Sequence, residues 1–237
     1  MKGERYPGSP AVIFYIIQNQ GKQGINRVIT LRYDIMFYLF LKRICDIIIG
    51  LIGLLILIPI SLIVKIAYIS TGDWHSIFYT QKRIGKDGKI FTLFKFRTMV
   101  WNAEEELVRL LNTDPTIKRE YTKFRKLAHD PRITKIGKFL RNYSIDEFPQ
   151  FINLLIGDMS LIGNRPYLLS EKPYMGKYYQ EIIKTKPGIT GLWQISSHNQ
   201  VLFKERLRLE ATYTEKFKHD FGIFLGTFKI LLSGSNS

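Results

Sequence analysis

The sequence predicts an α+β protein, mostly helical, with a re-entrant membrane helix, one small β-hairpin and amphipathic interfacial helices. Three patterns carry that expectation. Residues 47–64 form an eighteen-residue stretch without a charge, close to the shortest length that crosses a bilayer core. Residues 78–95 alternate apolar and basic side chains around Gly85-Lys-Asp-Gly88, which reads as a hairpin turning at Asp87-Gly88. Elsewhere apolar residues recur at helical spacing, as in Leu107, Leu110 and Leu111.

In chain order, residues 1–32 are a basic extension rich in Gly, Asn and Gln, with no assignable role. Its one apolar run, 11–17, fits a strand. Residues 33–70 make up the membrane-associated part. They open on the aromatic-rich 33–41, suited to an interface, and continue into the apolar run, with Lys42 and Arg43 before it and Lys65 after. The run starts too late for a cleaved signal peptide. Pro59 lacks an N–H donor and is expected to kink or break the helix, with Ser61 nearby to serve the freed carbonyls. Basic flanks at both ends fit a helix that leaves by the face it entered, because positive charge favours the cytoplasmic side. A straight span has the same support apart from the proline. The lone cysteine, Cys45, sits among apolar residues and reads as buried.

Residues 71–237 form the third part. After the hairpin comes a helix over 103–111, then a second starting at Asp114-Pro115 with proline in its first turn. Ile117, Tyr121, Phe124 and Ala128 form its apolar stripe. Ser144-Ile-Asp-Glu147 reads as a capping box ahead of a helix through Phe148, Phe151, Ile152 and Leu155, which Gly157 ends. Residues 187–191 read as a turn cluster, 203–217 as helix, and 221–232 as an amphipathic helix on a bilayer surface.

Composition narrows the function classes. A 46% hydrophobic content supports a packed core. The formal charge is +15, from 35 Lys+Arg against 20 Asp+Glu, which attracts anionic lipid, phosphate-bearing substrates or nucleic acid. One cysteine excludes an intramolecular disulfide and a Cys-rich zinc site. The four histidines show no zinc-ligand spacing.

The chemistry concentrates in residues 95–106. Lys95 and Arg97 lie in a cationic string shortly before Glu104, Glu105 and Glu106. A carboxylate nucleophile beside an acidic neighbour can transfer phosphoryl groups through a covalent intermediate, with cations holding the phosphates. The same glutamates also suit any exposed helix start. Asp146-Glu147 is a second acidic pair, read first as capping and also free to bind a cation.

Five ordered strings resemble a known family: Phe94-Lys-Phe-Arg-Thr-Met99, the run from Asp130-Pro-Arg132 to Arg141, Ser144-Ile-Asp-Glu-Phe-Pro-Gln150, the run from Asn153 to Arg165-Pro166, and Lys186-Pro-Gly-Ile-Thr-Gly191. From about Leu41 to Leu232 the chain is similar to the bacterial sugar transferases, the monotopic polyprenyl-phosphate phosphoglycosyl transferases, in their short catalytic-core form. The resemblance implies transfer of a sugar-1-phosphate from a UDP-sugar to polyprenyl phosphate, releasing UMP and starting lipid-linked glycan or polysaccharide synthesis. It implies a catalytic domain over 71–237 on the cytoplasmic face of the bacterial inner membrane, and a membrane helix broken at Pro59. Glu104 falls at the nucleophile position and Glu105 at its partner, both where the family has Asp-Glu, with the register 105–106 as fallback.

Within that reading Lys95, Arg97, Arg132 and Arg165 are the candidate phosphate-binding residues, each also readable as an ordinary ion pair. Mg²⁺ is the expected cofactor, with Glu105 and Asp158 as its candidate ligands. Expected partners are the UDP-sugar, polyprenyl phosphate, membrane lipid and a second copy of the chain, with no nucleic acid. Asn164 stands in place of a usual proline, Ser197-His198-Asn199 in place of Gly-Arg-Asn, and Glu210 in place of Asp. The competing readings are an inactive membrane scaffold and a basic nucleic-acid-binding protein.

Overall fold

The computed structural model describes residues 10–124, 127–196 and 202–233, with side chains between Tyr33 and Ile230. Helix α1 covers Pro10–Ser70. The chain divides into two compact units, Met1–Cys45 and Asp46–Ser237. In the first, the expected strand at 11–17 is helix instead. A helix satisfies its backbone groups within one segment, whereas a lone strand leaves them unpaired. This unit exposes Tyr33, Met36, Phe37 and Phe40. Cys45 is also exposed, contrary to the sequence expectation.

In the second unit, residues 46–70 of α1 present two faces. Leu57, Val64 and Tyr68 point inward and build a core with Ile77, Phe96 and Leu140. Ile48, Leu51, Leu55, Ile58, Leu62 and Ile66 remain exposed. Helical geometry continues through Pro59, so the expected interruption there is not a change of secondary structure. The proline removes one donor and the helix resumes beyond it. Asp46, only 3% exposed, accepts hydrogen bonds from Leu161 N at 2.8 Å and Ser160 Oγ at 3.2 Å.

The hairpin forms as expected. Strands β1 (Phe78–Ile84) and β2 (Ile90–Phe96) pair antiparallel from Phe78↔Phe96 to Ile84↔Ile90. The turn is made by Asp87 and Gly88, both at positive φ (56° and 77°). Helices α2 (Ala103–Thr113), α3 (Pro115–Phe124), α4 (Lys135–Asn142) and α5 (Gln150–Ile156) follow. Asp114 Oδ1 accepts from Thr116 N and Ile117 N and so starts α3. Helix α3 ends at Phe124, which leaves Ala128 off its stripe.

Strands β3 (Ser160–Ile162) and β4 (Tyr167–Leu168) come next, then short helices α6 (Lys172–Met175) and α7 (Tyr179–Ile182) and strand β5 (Gly188–Thr190). β4 joins the hairpin in the order β2-β1-β4, and β3 pairs parallel with β5. The expected turn at 187–191 is therefore largely strand. A Cβ on Gly188 would fall 2.1 Å from Gly163 N, and one on Gly191 2.1 Å from Gly163 O. Glycines there serve close backbone approach in a sheet, not a reversal of the chain. Helices α8 (Leu192–Ser196), α9 (Phe203–Glu210) and α10 (Phe217–Ser233) complete the chain. The predicted helix over 203–217 stops at Glu210. Helix α10 exposes Phe217, Phe221, Phe224 and Phe228.

Candidate active site

Glu104 and Glu105 lie in the first turn of α2 and are exposed to solvent. A helix N-terminus stabilises carboxylates through its unpaired N–H groups and dipole. Glu106 turns away to Arg109, with contacts of 2.9 and 2.5 Å. The segment leading to α2 is fixed by Val100 N donating to Arg132 O at 2.9 Å. Arg132, 8% exposed, grips Asp130 with Nε and Nη2 at 2.8 and 2.6 Å, and its Nη1 donates to Ala103 O at 3.1 Å. All these groups serve the protein itself. The expected phosphate-binding arginine is thus a bolt between the 130–132 turn and the start of α2.

Tyr79 of β1 connects this helix start to the hairpin. Burial raises the pKa of its hydroxyl, the Glu104 carboxylate raises it further, and Arg83 and Arg132 oppose the rise. Across the strands Tyr79 pairs with Lys95. Lys95 Nζ reaches Glu147 Oε1 at 2.7 Å and Asp146 Oδ2 at 3.5 Å. Burial lifts the Asp146 carboxyl above the usual range against the pull of Lys95. Glu147 also feels burial, but Lys95 outweighs it and holds that carboxyl low.

The expected capping box at 144–147 does not form. Ser144 sits in the left-handed region (φ 54°), makes no side-chain cap, and leads into a 3₁₀ turn over Ile145–Glu147. That turn delivers both acids to Lys95, while α5 starts later, at Gln150.

Arg165 is near enough to Glu147 to help hold that carboxyl low. It stands 3.9 Å from Glu171, as does the buried Arg206. Arg83 donates to Pro166 O at 2.9 Å, and burial followed by repulsion from Arg165 lowers its pKa to about 10. Glu210, 1% exposed, accepts from Arg165 N at 3.2 Å. Burial pushes its carboxyl up to about 7, against the opposing pull of the Tyr167 hydroxyl and the charge of Arg165. Asn164, where the family resemblance has proline, donates to Ile182 O at 3.3 Å. Residues 197–199 lie outside the described residues.

Two expected site residues stand apart. Arg97 is 5% exposed, donates to Ser76 O at 2.8 Å, pairs with Asp73 at 2.9 Å and stacks over Tyr68. Its guanidinium is spent on the scaffold. Asp158 follows the C-cap of α5, Gly157 (φ 94°), whereas Glu147 precedes its N-terminus. The length of α5 alone, about 10 Å at 1.5 Å per residue, parts Asp158 from the Lys95 cluster. Among the described residues no three His, Cys, Asp or Glu side chains converge as a metal site.

Sequence reasoning missed Tyr79, Asp130, Arg83, Glu171 and Arg206. Asp130 was legible as part of a motif, but neither charge pattern nor spacing distinguishes the others from surface residues.

The family described as bacterial sugar transferase matches residues 37–234, and the chain belongs to that family. It is 39% identical over 198 residues to an undecaprenyl-phosphate galactose phosphotransferase of Salmonella typhimurium, covering 81% of this chain and 40% of the relative. It is 39% identical over 218 residues to the galactosyl transferase CpsE of Streptococcus agalactiae, covering 88% and 46%. It is 36% identical over 176 residues to the exopolysaccharide production protein ExoY of Sinorhizobium fredii, covering 74% and 77%. The chain spans less than half the length of the first two.

Proposed function

We propose that this chain transfers a sugar-1-phosphate from a UDP-sugar to polyprenyl phosphate at the cytoplasmic face of the bacterial inner membrane, initiating polysaccharide synthesis. The observation that carries the reading is Glu104: an exposed carboxylate at a helix N-terminus, fixed through Arg132 and facing the Tyr79–Lys95 end of the hairpin. The names of the relatives support the acceptor and the reaction class.

In the first step a Glu104 oxygen attacks the β-phosphorus of the donor. A carboxyl–phosphorus bond forms, the β-phosphorus bond to the bridging oxygen breaks, and UMP leaves with that oxygen. In the second step an oxygen of polyprenyl phosphate attacks the same phosphorus, releasing the carboxylate and forming the lipid diphosphate sugar. Splitting one difficult transfer into two is the gain from a covalent nucleophile. Lys95 and the exposed part of Arg165 supply positive charge along the donor's path.

Mg²⁺ fits the exposed Glu105, because this ion keeps several waters and takes one or two carboxylates together with substrate phosphates. When bound it would neutralise diphosphate charge. Asp158 is not carried into that role.

The outward apolar face of α1 is proposed to contact lipid. From Gly50, where an added Cβ would meet Leu155, to the buried Tyr68, one side of α1 rests on the protein body. Over that stretch, about 27 Å at 1.5 Å per residue, lipid can reach only the other side. This favours a helix held from one membrane face over one crossing it. Cysteine labelling at 33 and 71 from the two sides of sealed vesicles tests it, since labelling from opposite sides contradicts a monotopic arrangement.

The activity test is UMP release from a panel of UDP-sugars by purified protein with undecaprenyl phosphate and Mg²⁺. Release that needs the lipid phosphate supports the reading, and no release with any donor sugar favours the inactive scaffold.

A further inference from the structure

We infer that Asp130 and Arg132 act together as a positioning pair for the nucleophile helix, setting the rate of phosphorus attack without binding the donor. The inference rests on the reading of Glu104 as nucleophile. Arg132 carries five donors in a rigid fork. Two face the Asp130 carboxylate at 2.8 and 2.6 Å, and a third, Nη1, meets the carbonyl of Ala103 at 3.1 Å. Ala103 is the first residue of α2 and the residue before Glu104.

Asn102, at the N-cap of α2, provides no side-chain cap. The arginine instead anchors the entering backbone from outside, through the carbonyl of Ala103. Val100 N to Arg132 O at 2.9 Å and the bridge Met99↔Ile133 tie the approaching strand to the same turn. Asp130 is itself held low in pKa: burial opposes the charge, but the Arg132 hydrogen bonds outweigh it. The pair thus stays ionised across the working pH range. A nucleophile misplaced by about 1 Å loses on the order of 100-fold in rate, which sets the scale of what fixing this backbone is worth.

The test compares Arg132→Gln, Asp130→Asn and the double variant in the full chain, measuring kcat and KM for the UDP-sugar, the labelled sugar-phosphate trapped on protein, and the thermal transition. The expected result is a fall in kcat of about 100-fold for Arg132→Gln, a fall in the same direction for Asp130→Asn, and an unchanged KM. The double variant is expected to be no worse than Arg132→Gln alone, because residues acting as one unit are not additive. A raised KM with unchanged kcat in Arg132→Gln, with Asp130→Asn behaving as wild type, overturns the inference and returns Arg132 to phosphate binding. So does a fall in kcat that merely follows the fraction of unfolded protein. Should Arg132→Gln fail to fold, Asp130→Asn, which keeps the shape of the side chain, decides the matter by its kcat. A wild-type chain that turns over yet traps no sugar-phosphate refutes the nucleophile reading instead, and the kcat–KM split still judges the pair.

Discussion

Asn153 closes the free edge of β2 around Phe94. Its Oδ1 accepts from Phe94 N at 3.0 Å and its Nδ2 donates to Thr92 O at 2.7 Å. β2 is an edge strand, since among the described residues β1 is its only sheet neighbour, and open edges invite pairing with other chains. One fully buried amide supplies both the acceptor and the donor that a further strand would offer. Asn153→Ala leaves two backbone groups unsatisfied and is expected to cost about 2 to 4 kcal/mol. Asn153→Asp keeps the acceptor but loses the donor and is also expected to destabilise. Thermal unfolding of the three proteins checks both expectations.

Gly137 lets α4 approach the chain just before the site. A Cβ there would lie 1.9 Å from Thr98 O, and Thr98 O already accepts from Thr134 N at 3.0 Å. Because the obstructed atom is backbone, a rotamer change cannot relieve the contact. Gly137→Ala is expected to destabilise by about 3 kcal/mol, the upper end for overpacking. It should also lower activity by shifting the 97–103 segment. A wild-type melting temperature would contradict this.

Lys95→Met removes the cation between Asp146 and Glu147. In the native protein Lys95 holds Glu147 below its ordinary value, so the pair contributes stability above that value and loses it as pH falls through the lowered pKa. Without the lysine, burial is opposed only by Arg141 at Asp146 and by Arg165 and Gln150 at Glu147, and both carboxyls rise. The variant should then be most stable when they are protonated. Its deficit relative to wild type is expected to widen from pH 5 to pH 8, as melting temperatures across that range would reveal.

Glu210 gives a second pH signature. Its carboxyl rises from 4.5 to about 7 on folding, so the folded state holds the proton more tightly. The stability it contributes is full below pH 4.5 and is lost as pH climbs through 7. Glu210→Gln cannot ionise and escapes this loss. The variant should therefore gain on wild type between pH 5 and pH 8. A pH-independent difference in melting temperature would show that Glu210 does not titrate there.

Much of this architecture can be read from the residues. The Gly85–Gly88 turn forms because Asp87 and Gly88 tolerate positive φ, a local property. The start of α3 at Asp114 and the end of α5 at Gly157 are likewise set by nearby residues. Two of the misreadings concern long-range effects. Ser144 resembles a cap, yet Lys95, some fifty positions earlier, draws Asp146 and Glu147 into a different turn. Residues 187–191 look like a turn because their glycines are visible and their partner, Gly163, is distant. Within the site, the strings single out Glu104, Lys95 and Arg165 as candidates. They left the tasks of Arg97 and Arg132 open, since an arginine in a motif looks the same whether it meets a phosphate or a backbone carbonyl. Asp73 and Ala103 become visible as their partners only in three dimensions.

The most direct test of the central claim is to trap the enzyme after its first half-reaction. Purified protein is mixed with UDP-sugar labelled in the β-phosphate, without polyprenyl phosphate, then denatured and digested. We expect label on the peptide containing Glu104, UMP released in equal amount, and loss of the label when polyprenyl phosphate is added before denaturation. Glu104→Gln should hold no label and lose more than about 1,000-fold in turnover. Label on Glu105 or elsewhere, or a Glu104→Gln protein that turns over at the wild-type rate, would contradict the account.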